Sequence, residues 1–257
     1  MTEFDHGPSA QLAELLDRVP DPPIPDDFWF DWGPVFYRGR LDGSARVLCV
    51  ASDPGPTERI AGRTLVGNAG QRVQGFLTKL GLTRSYVCVN AWAYAVHPSR
   101  ALAERDRLDD HDQLEWRNEL YDAVTGPDLE AVIAFGFMAQ AAVALWANRP
   151  DVELKEIAHP SNPDERELLD EWRSAVGELR GIVTPDGDGD NAGPNYGTSF
   201  GEADYAPIPG RDLPFGAAAF LGDDRWVRDQ PGSTQNSVAR PSPDDGHTLI
   251  WHAPERG

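Results

Sequence analysis

Three polar residues stand where apolar runs end. Asp53 follows "RVLCVAS" (46–52) and opens the rigid turn Asp53-Pro54-Gly55-Pro56. Asn90 closes "YVCVN" (86–90), and His159 follows "VELKEIA" (152–158). A carboxylate fixed on a rigid turn can orient and activate water. An asparagine offers one acceptor and two donors, enough to read an amide edge of a ligand. A histidine can donate a hydrogen bond to a developing anion. Each also has a plainer use: Asp53 as a cap, Asn90 as a turn residue, His159 as a structural loop side chain. His-Pro-Ser occurs twice, at 97–99 and 159–161, so either copy could supply the histidine.

The loop "GRTLVGNAGQ" (62–71) places Gly62 and Gly67 at P-loop spacing, but Asn68 and Ala69 stand where Lys and Ser or Thr would hold phosphate and magnesium. The motif therefore fails as a nucleoside triphosphate site. A turn that cradles a single phosphate stays open, as does the use of both glycines for a tight turn and close helix packing. No H-E-x-x-H or similar spacing exists among the six histidines, and Cys49 and Cys88 form no C-x-x-C pair. No metal and no cofactor is expected, and the cysteines read as small buried hydrophobes.

The elements that must carry these residues alternate in period. Short apolar runs at 46–51, 86–92 and 131–136 and an alternating one at 152–158 predict strands. Helical spacing predicts helices over 67–82, stopped by Gly81, and over 108–124, 137–147 and 163–180. Four strands with intervening helices predict an α/β fold: a central parallel four-stranded sheet with helices on both faces. Function in such a sheet collects where strands end and loops cross to helices. Residues 46–180 form that domain. Residues 1–45, rich in proline and aromatics, read as an N-terminal extension packing on it. Residues 181–257, rich in Gly, Pro and Asp, read as a C-terminal extension that packs in part, because it carries aromatics that disordered tails lack.

The 257-residue chain is 40% hydrophobic and has no run of 18 apolar residues, so a real core and no membrane span are expected. The N-terminus lacks a basic segment and an apolar stretch, which makes the cytoplasm the expected location; a monomer is the expected form. The formal charge of −19 excludes a broad electrostatic grip on nucleic acid. The acidity is spread along the chain: residues 181–257 hold 12 acids against 5 bases, and residues 1–180 hold 30 against 18. Any nucleic-acid contact must rest on local bases such as Arg59, Arg63, Arg72 and Arg100.

Taken together, the stretches "DPGPTERIAGRTLVGNAGQRVQGFLTKLGL" (53–82), "YVCVNAW" (86–92), "AVIAFGFMAQAAV" (131–143) and "IAHPSN" (157–162) resemble, in order and spacing, the signatures of the uracil-DNA glycosylase superfamily, closest to its bacterial and archaeal iron–sulfur branch. The resemblance covers roughly 46–180. It implies a monofunctional glycosylase that flips uracil, or a related damaged base, out of DNA and hydrolyses its glycosidic bond. Asp53 then positions water, His159 steadies the departing base anion, and Asn90 reads the base, with Ser52 and Leu65 beside it. Gly55, Gly67, Ser161, Asn162, Arg63 and Arg100 become DNA contacts on single- or double-stranded DNA. His159, not His97, is the family histidine; His97-Pro98-Ser99 becomes a loop turn with Arg100 as its DNA contact. The branch's four cluster cysteines are absent, so no cluster is implied. Leu65 stands where the family has a stacking aromatic, which leaves Phe135 or Phe137 to supply a platform, or a different base as target. No apolar wedge follows Ser161; Asn162 and Arg166 are the nearest candidates. Two alternatives remain: a glycosylase for another modified base, for instance in foreign DNA, and a non-catalytic protein of this fold that binds DNA or a protein.

Overall fold

The computed structural model describes residues 4–217, 238–239 and 250–251. Its centre is a five-stranded, mostly parallel sheet: β1 (Tyr37–Gly39), β2 (Val47–Ala51), β3 (Tyr86–Asn90), β4 (Ala131–Phe135) and β5 (Glu153–Ile157), in the order β1-β3-β2-β4-β5. β2, β3, β4 and β5 are the four strands expected from periodicity, and all pair in parallel. The fifth corrects the four-stranded expectation. Tyr37–Gly39 comes from the segment read as an extension and runs antiparallel to β3, pairing Tyr37 with Val89 and Gly39 with Val87. At only three residues it is too short for a period to show.

Helices cover both faces. Alternate strand residues point to opposite sides, so Leu48, Val50, Val87, Val89, Val132 and Ala134 face one core and Val47, Cys49, Tyr86, Cys88, Ile133 and Phe135 the other. The first core is closed by α1 (Ala10–Leu16), α5 (His111–Val124) and α6 (Gly136–Ala144). The second is closed by α3 (Asn68–Lys79) and α7 (Glu165–Leu179). Two short helices, α2 (Pro56–Ala61) and α4 (Ala101–Arg105), lie in loops beyond strand ends. Gly81, at φ +73°, follows α3 as the expected stop. Among the described residues no helix is long and apolar enough to cross a membrane.

The chain passes from β2 to β3 on one side and then to β4 on the other. That reversal opens a crevice at the carboxyl ends of the strands. Beyond α7 the chain runs back over the second core. Asp186 accepts hydrogen bonds from the amides of Thr83, Arg84 and Ser85, at 2.8, 2.8 and 3.1 Å. Burial pushes its carboxyl up, but the Ser85 hydroxyl and these amides outweigh that and hold it at about 2. Asp204 pairs with Lys79 at 2.9 Å. Asp212 pairs at 2.9 Å with Arg38, whose side chain is fully buried in β1. The N-terminal segment meets the same region, Asp5 donating its amide to the Leu213 carbonyl at 2.9 Å.

Candidate functional site

The crevice holds a cavity of about 440 Å³ whose wall includes Asp53, Asn90 and His159, each from the loop or last residue of a different strand. Leu65, Gly55, Gly67, Ser161 and Asn162 line the same cavity. Ser52 lies on a neighbouring cavity of about 580 Å³, which shares Asp53, His159, Ser161 and Asn162 with the first. Asp53 and His159 thus stand on the wall between two open spaces.

Asp53 is fixed by the chain across from it. Beyond the paired residues of β2 and β3, the amides of Ala91 and Trp92 bond the carbonyls of Ala51 and Ser52 at 2.8 and 3.0 Å. That extension brings the loop after β3 over Asp53, and the Val96 amide donates to its carboxylate at 2.9 Å. The last residue of β3, Asn90, is buried at 5% exposure. Its backbone carbonyl accepts the Tyr121 hydroxyl at 3.4 Å, while its side-chain Nδ2 has no partner among the described residues. A buried donor without an acceptor costs roughly 1–3 kcal/mol, a cost that an acceptor entering the cavity beside Asn90 would relieve.

His159 is held from behind. The Ser161 amide donates to its Nδ1 at 3.1 Å, which places the proton on Nε2. Burial lowers its pKa from 6.5 to about 4, so the ring is neutral at pH 7 and Nε2–H is a donor without charge. Glu171 takes the Ala158 amide, and Trp172 Nε1 donates to the Ala158 carbonyl at 2.9 Å. Gly136, at φ +83°, follows β4 and presses on this loop. A methyl group there would come within 2.8 Å of the His159 Cβ.

The glycine loop differs from a phosphate cradle. Gly62 ends α2 in the left-handed conformation at φ +64°, and Gly67 is the N-cap residue of α3. The amides of Val66 and Gly67 are already taken by one oxygen of Glu58, at 2.9 Å each. The P-loop spacing therefore marks two helix ends with a carboxylate between them. Leu65, at φ +54°, is the one non-glycine residue in the left-handed region among the described residues. Gly70 lies so close that a methyl group would sit 1.8 Å from the Leu65 carbonyl oxygen, which is how α3 fixes this wall.

Several expected contacts lie elsewhere. Arg63 pairs with Asp5 at 2.6 Å and lies over the Tyr37 ring. Arg100 pairs with Asp27 at 3.1 Å. Arg59 is buried, with its guanidinium over the rings of Trp29 and Trp32. None of the three lines the cavity. His97 packs on Trp29 at 4.1 Å between ring centroids, also away from the cavity. Phe135 is fully buried between Phe76 and Trp172 and offers no free face. Phe137 is 45% exposed, but lines the neighbouring cavity.

The cavity is also lined by polar residues that the sequence does not point to as pocket residues: Thr57, Glu58, Asn68, Arg72 and Glu165. Arg72, one of the arginines expected as a nucleic-acid contact, donates from Nη1 to the Pro160 carbonyl at 2.8 Å and from Nε to the Tyr205 hydroxyl oxygen at 3.0 Å. Among the described residues, no group of three or more His, Cys, Asp or Glu side chains is arranged to hold a metal ion. Neither a scan against protein-family models nor a search of curated proteins finds a match for this chain.

Proposed function

We propose that this chain is a monofunctional DNA glycosylase with a uracil-DNA glycosylase-like fold, which hydrolyses the bond between deoxyribose and uracil or a related base. The observation that carries the reading is the meeting of Asp53, Asn90 and His159 on one cavity at the strand carboxyl ends. As the bond breaks, the sugar becomes cation-like and the base becomes an anion. The Asp53 carboxylate, aimed by the Val96 amide, stabilises the sugar and orients water. The neutral His159 donates through Nε2 to the base carbonyl oxygen where negative charge collects. Asn90 brings its unpaired Nδ2 to an acceptor on the base edge and its carbonyl oxygen to a ring N–H. The base must leave the stack to enter the cavity, so DNA is bound around its mouth.

A second reading changes only the base. The wall that would face the ring is Leu65, buried at 5% exposure, and Phe135 is sealed in the core. Base–aromatic stacking is worth about 1–3 kcal/mol, so an aliphatic wall favours a base that relies less on stacking. Single- and double-stranded oligonucleotides carrying one uracil, hypoxanthine or modified cytosine, incubated with the protein and then treated with alkali, separate the two readings. A break at uracil supports the first, and a break only at another base supports the second. No break at any of them overturns both and leaves a binding protein of this fold.

A further inference from the structure

We propose that Arg72 is a positioning residue: anchored by the chain beyond α7, it sets the loop that carries His159. The proposal rests on the glycosylase reading for its activity test and on geometry for the rest. Arg72 lies in the first turns of α3 and lines the cavity. Its guanidinium is divided between two segments far apart in sequence. Nη1 donates to the Pro160 carbonyl, in the peptide joining Pro160 to Ser161, and Nε donates to the Tyr205 hydroxyl oxygen. Its Cζ lies 4.2 Å from the centroid of the Phe200 ring and 5.5 Å from that of the Tyr205 ring.

The anchoring segment is itself fixed to α3. The Ala206 amide donates to the Gln71 carbonyl at 3.1 Å, and Asp204 pairs with Lys79 at 2.9 Å. A methyl group on Gly75 would come within 2.0 Å of the Asp204 carbonyl oxygen, so the backbones touch. Phe200 donates its amide to Glu165, another lining residue, at 3.1 Å. An arginine held through Nε, Nη1 and two ring contacts has a set direction, and its cost of ordering is met by its neighbours rather than by a ligand. The Pro160 carbonyl has no amide partner in the short 158–162 turn; its bond to Arg72 fixes the Pro160–Ser161 peptide plane, whose Ser161 N–H donates to His159 Nδ1. The chain beyond the α/β unit thus contributes to the site without touching its contents.

The test is a double-mutant cycle in single-turnover cleavage of a uracil oligonucleotide, with the full chain. Arg72→Gln is expected to slow cleavage about 10- to 100-fold while changing DNA affinity less than about twofold. In a His159→Ala background the same change should cost less than about twofold, because the group it positions is gone. Tyr205→Phe, which keeps the ring and the fold, should give a smaller loss with the same dependence on His159. Equal losses in both backgrounds would overturn the proposal, and so would a loss of affinity with no loss of rate, which would make Arg72 a phosphate contact. If the wild-type chain cleaves nothing, the glycosylase reading fails separately. The 15N shifts of the His159 ring then decide: they should move in Arg72→Gln and in Tyr205→Phe and stay in the exposed-site control Arg149→Gln. Unmoved shifts in both of the first two variants would also overturn the proposal.

Discussion

At the scale of single residues, His159 is the group whose protonation the account fixes most tightly. Its folded pKa is near 4 against 6.5 as the ordinary value, because burial disfavours the charged ring. Between those values the unfolded chain binds the proton and the folded chain does not. Stability therefore falls as pH drops from about 6.5 to about 4, and His159 contributes no such loss above 6.5. The donor role proposed for it needs the neutral ring, so cleavage that depends on His159 should be level from pH 8 down to about 5 and decline only as pH approaches 4. A rate that halves near pH 6.5 in wild type but not in His159→Ala would contradict this. Asn90→Asp reverses one face of the hydrogen-bonding pattern, and the bases accepted should change along with the rate; competition between uracil and other bases in one mixture measures it. These two residues were legible because each closes or follows an apolar run. Arg72 and Glu58 were not legible in these roles. The partner of Arg72 lies 88 positions away, and Glu58 turns back onto amides eight and nine positions on, contacts no local spacing encodes.

At the scale of elements, the wall at Leu65 depends on α3 coming within backbone contact. Gly70→Ala places a methyl group 1.8 Å from the Leu65 carbonyl oxygen, and that oxygen belongs to backbone that has little room to give. The variant should lose about 2–4 kcal/mol in chemical denaturation, as strain at a special backbone position does, and lose cleavage with it. Asp186→Asn removes a carboxylate that three consecutive amides and a hydroxyl hold charged. It should cost about 1–3 kcal/mol. The loss should shrink as pH falls through about 4 toward 2, since protonation of the wild-type carboxyl removes the same interaction. The strands β2 to β5 and helices α3, α5, α6 and α7 were readable because each has enough residues to show its period. β1 was hidden: it is three residues long, and its middle residue is Arg38, a charge that a sequence pattern assigns to the outside. Arg38 is buried because Asp212, Gln74 and the Thr64 carbonyl satisfy it, and all three come from other parts of the chain.

At the scale of the whole molecule, the same arginine connects the N-terminal strand, the site loop and the segment beyond α7. Removing one partner of a buried pair leaves a charge without compensation, at roughly 3–5 kcal/mol. Asp212→Ala should therefore lower the stability of the full chain by about that amount, read from the denaturant midpoint, although position 212 is far in sequence from the sheet. The charge of −19 sets the other global expectation. Of the four arginines expected to meet phosphates, Arg59, Arg63 and Arg72 are engaged by the protein's own groups. DNA affinity should be weak, with a logarithmic salt slope of only about −1 to −3. Arg100, 59% exposed beside Asp27, should account for about one unit of it.

The central claim is that Asp53 and His159 act on one glycosidic bond. It is tested most directly by measuring free base released from a uracil oligonucleotide in a single turnover by wild type, Asp53→Ala, His159→Ala and His97→Ala. Losing a preorganised group at such a site typically costs about 100- to 1000-fold. Wild type should release the base, Asp53→Ala and His159→Ala should each release it at least about 100-fold more slowly, and His97→Ala, whose ring packs on Trp29 outside the cavity, should release it at a near-normal rate. Release that survives in His159→Ala and vanishes in His97→Ala, or no release of any base by wild type, would contradict it.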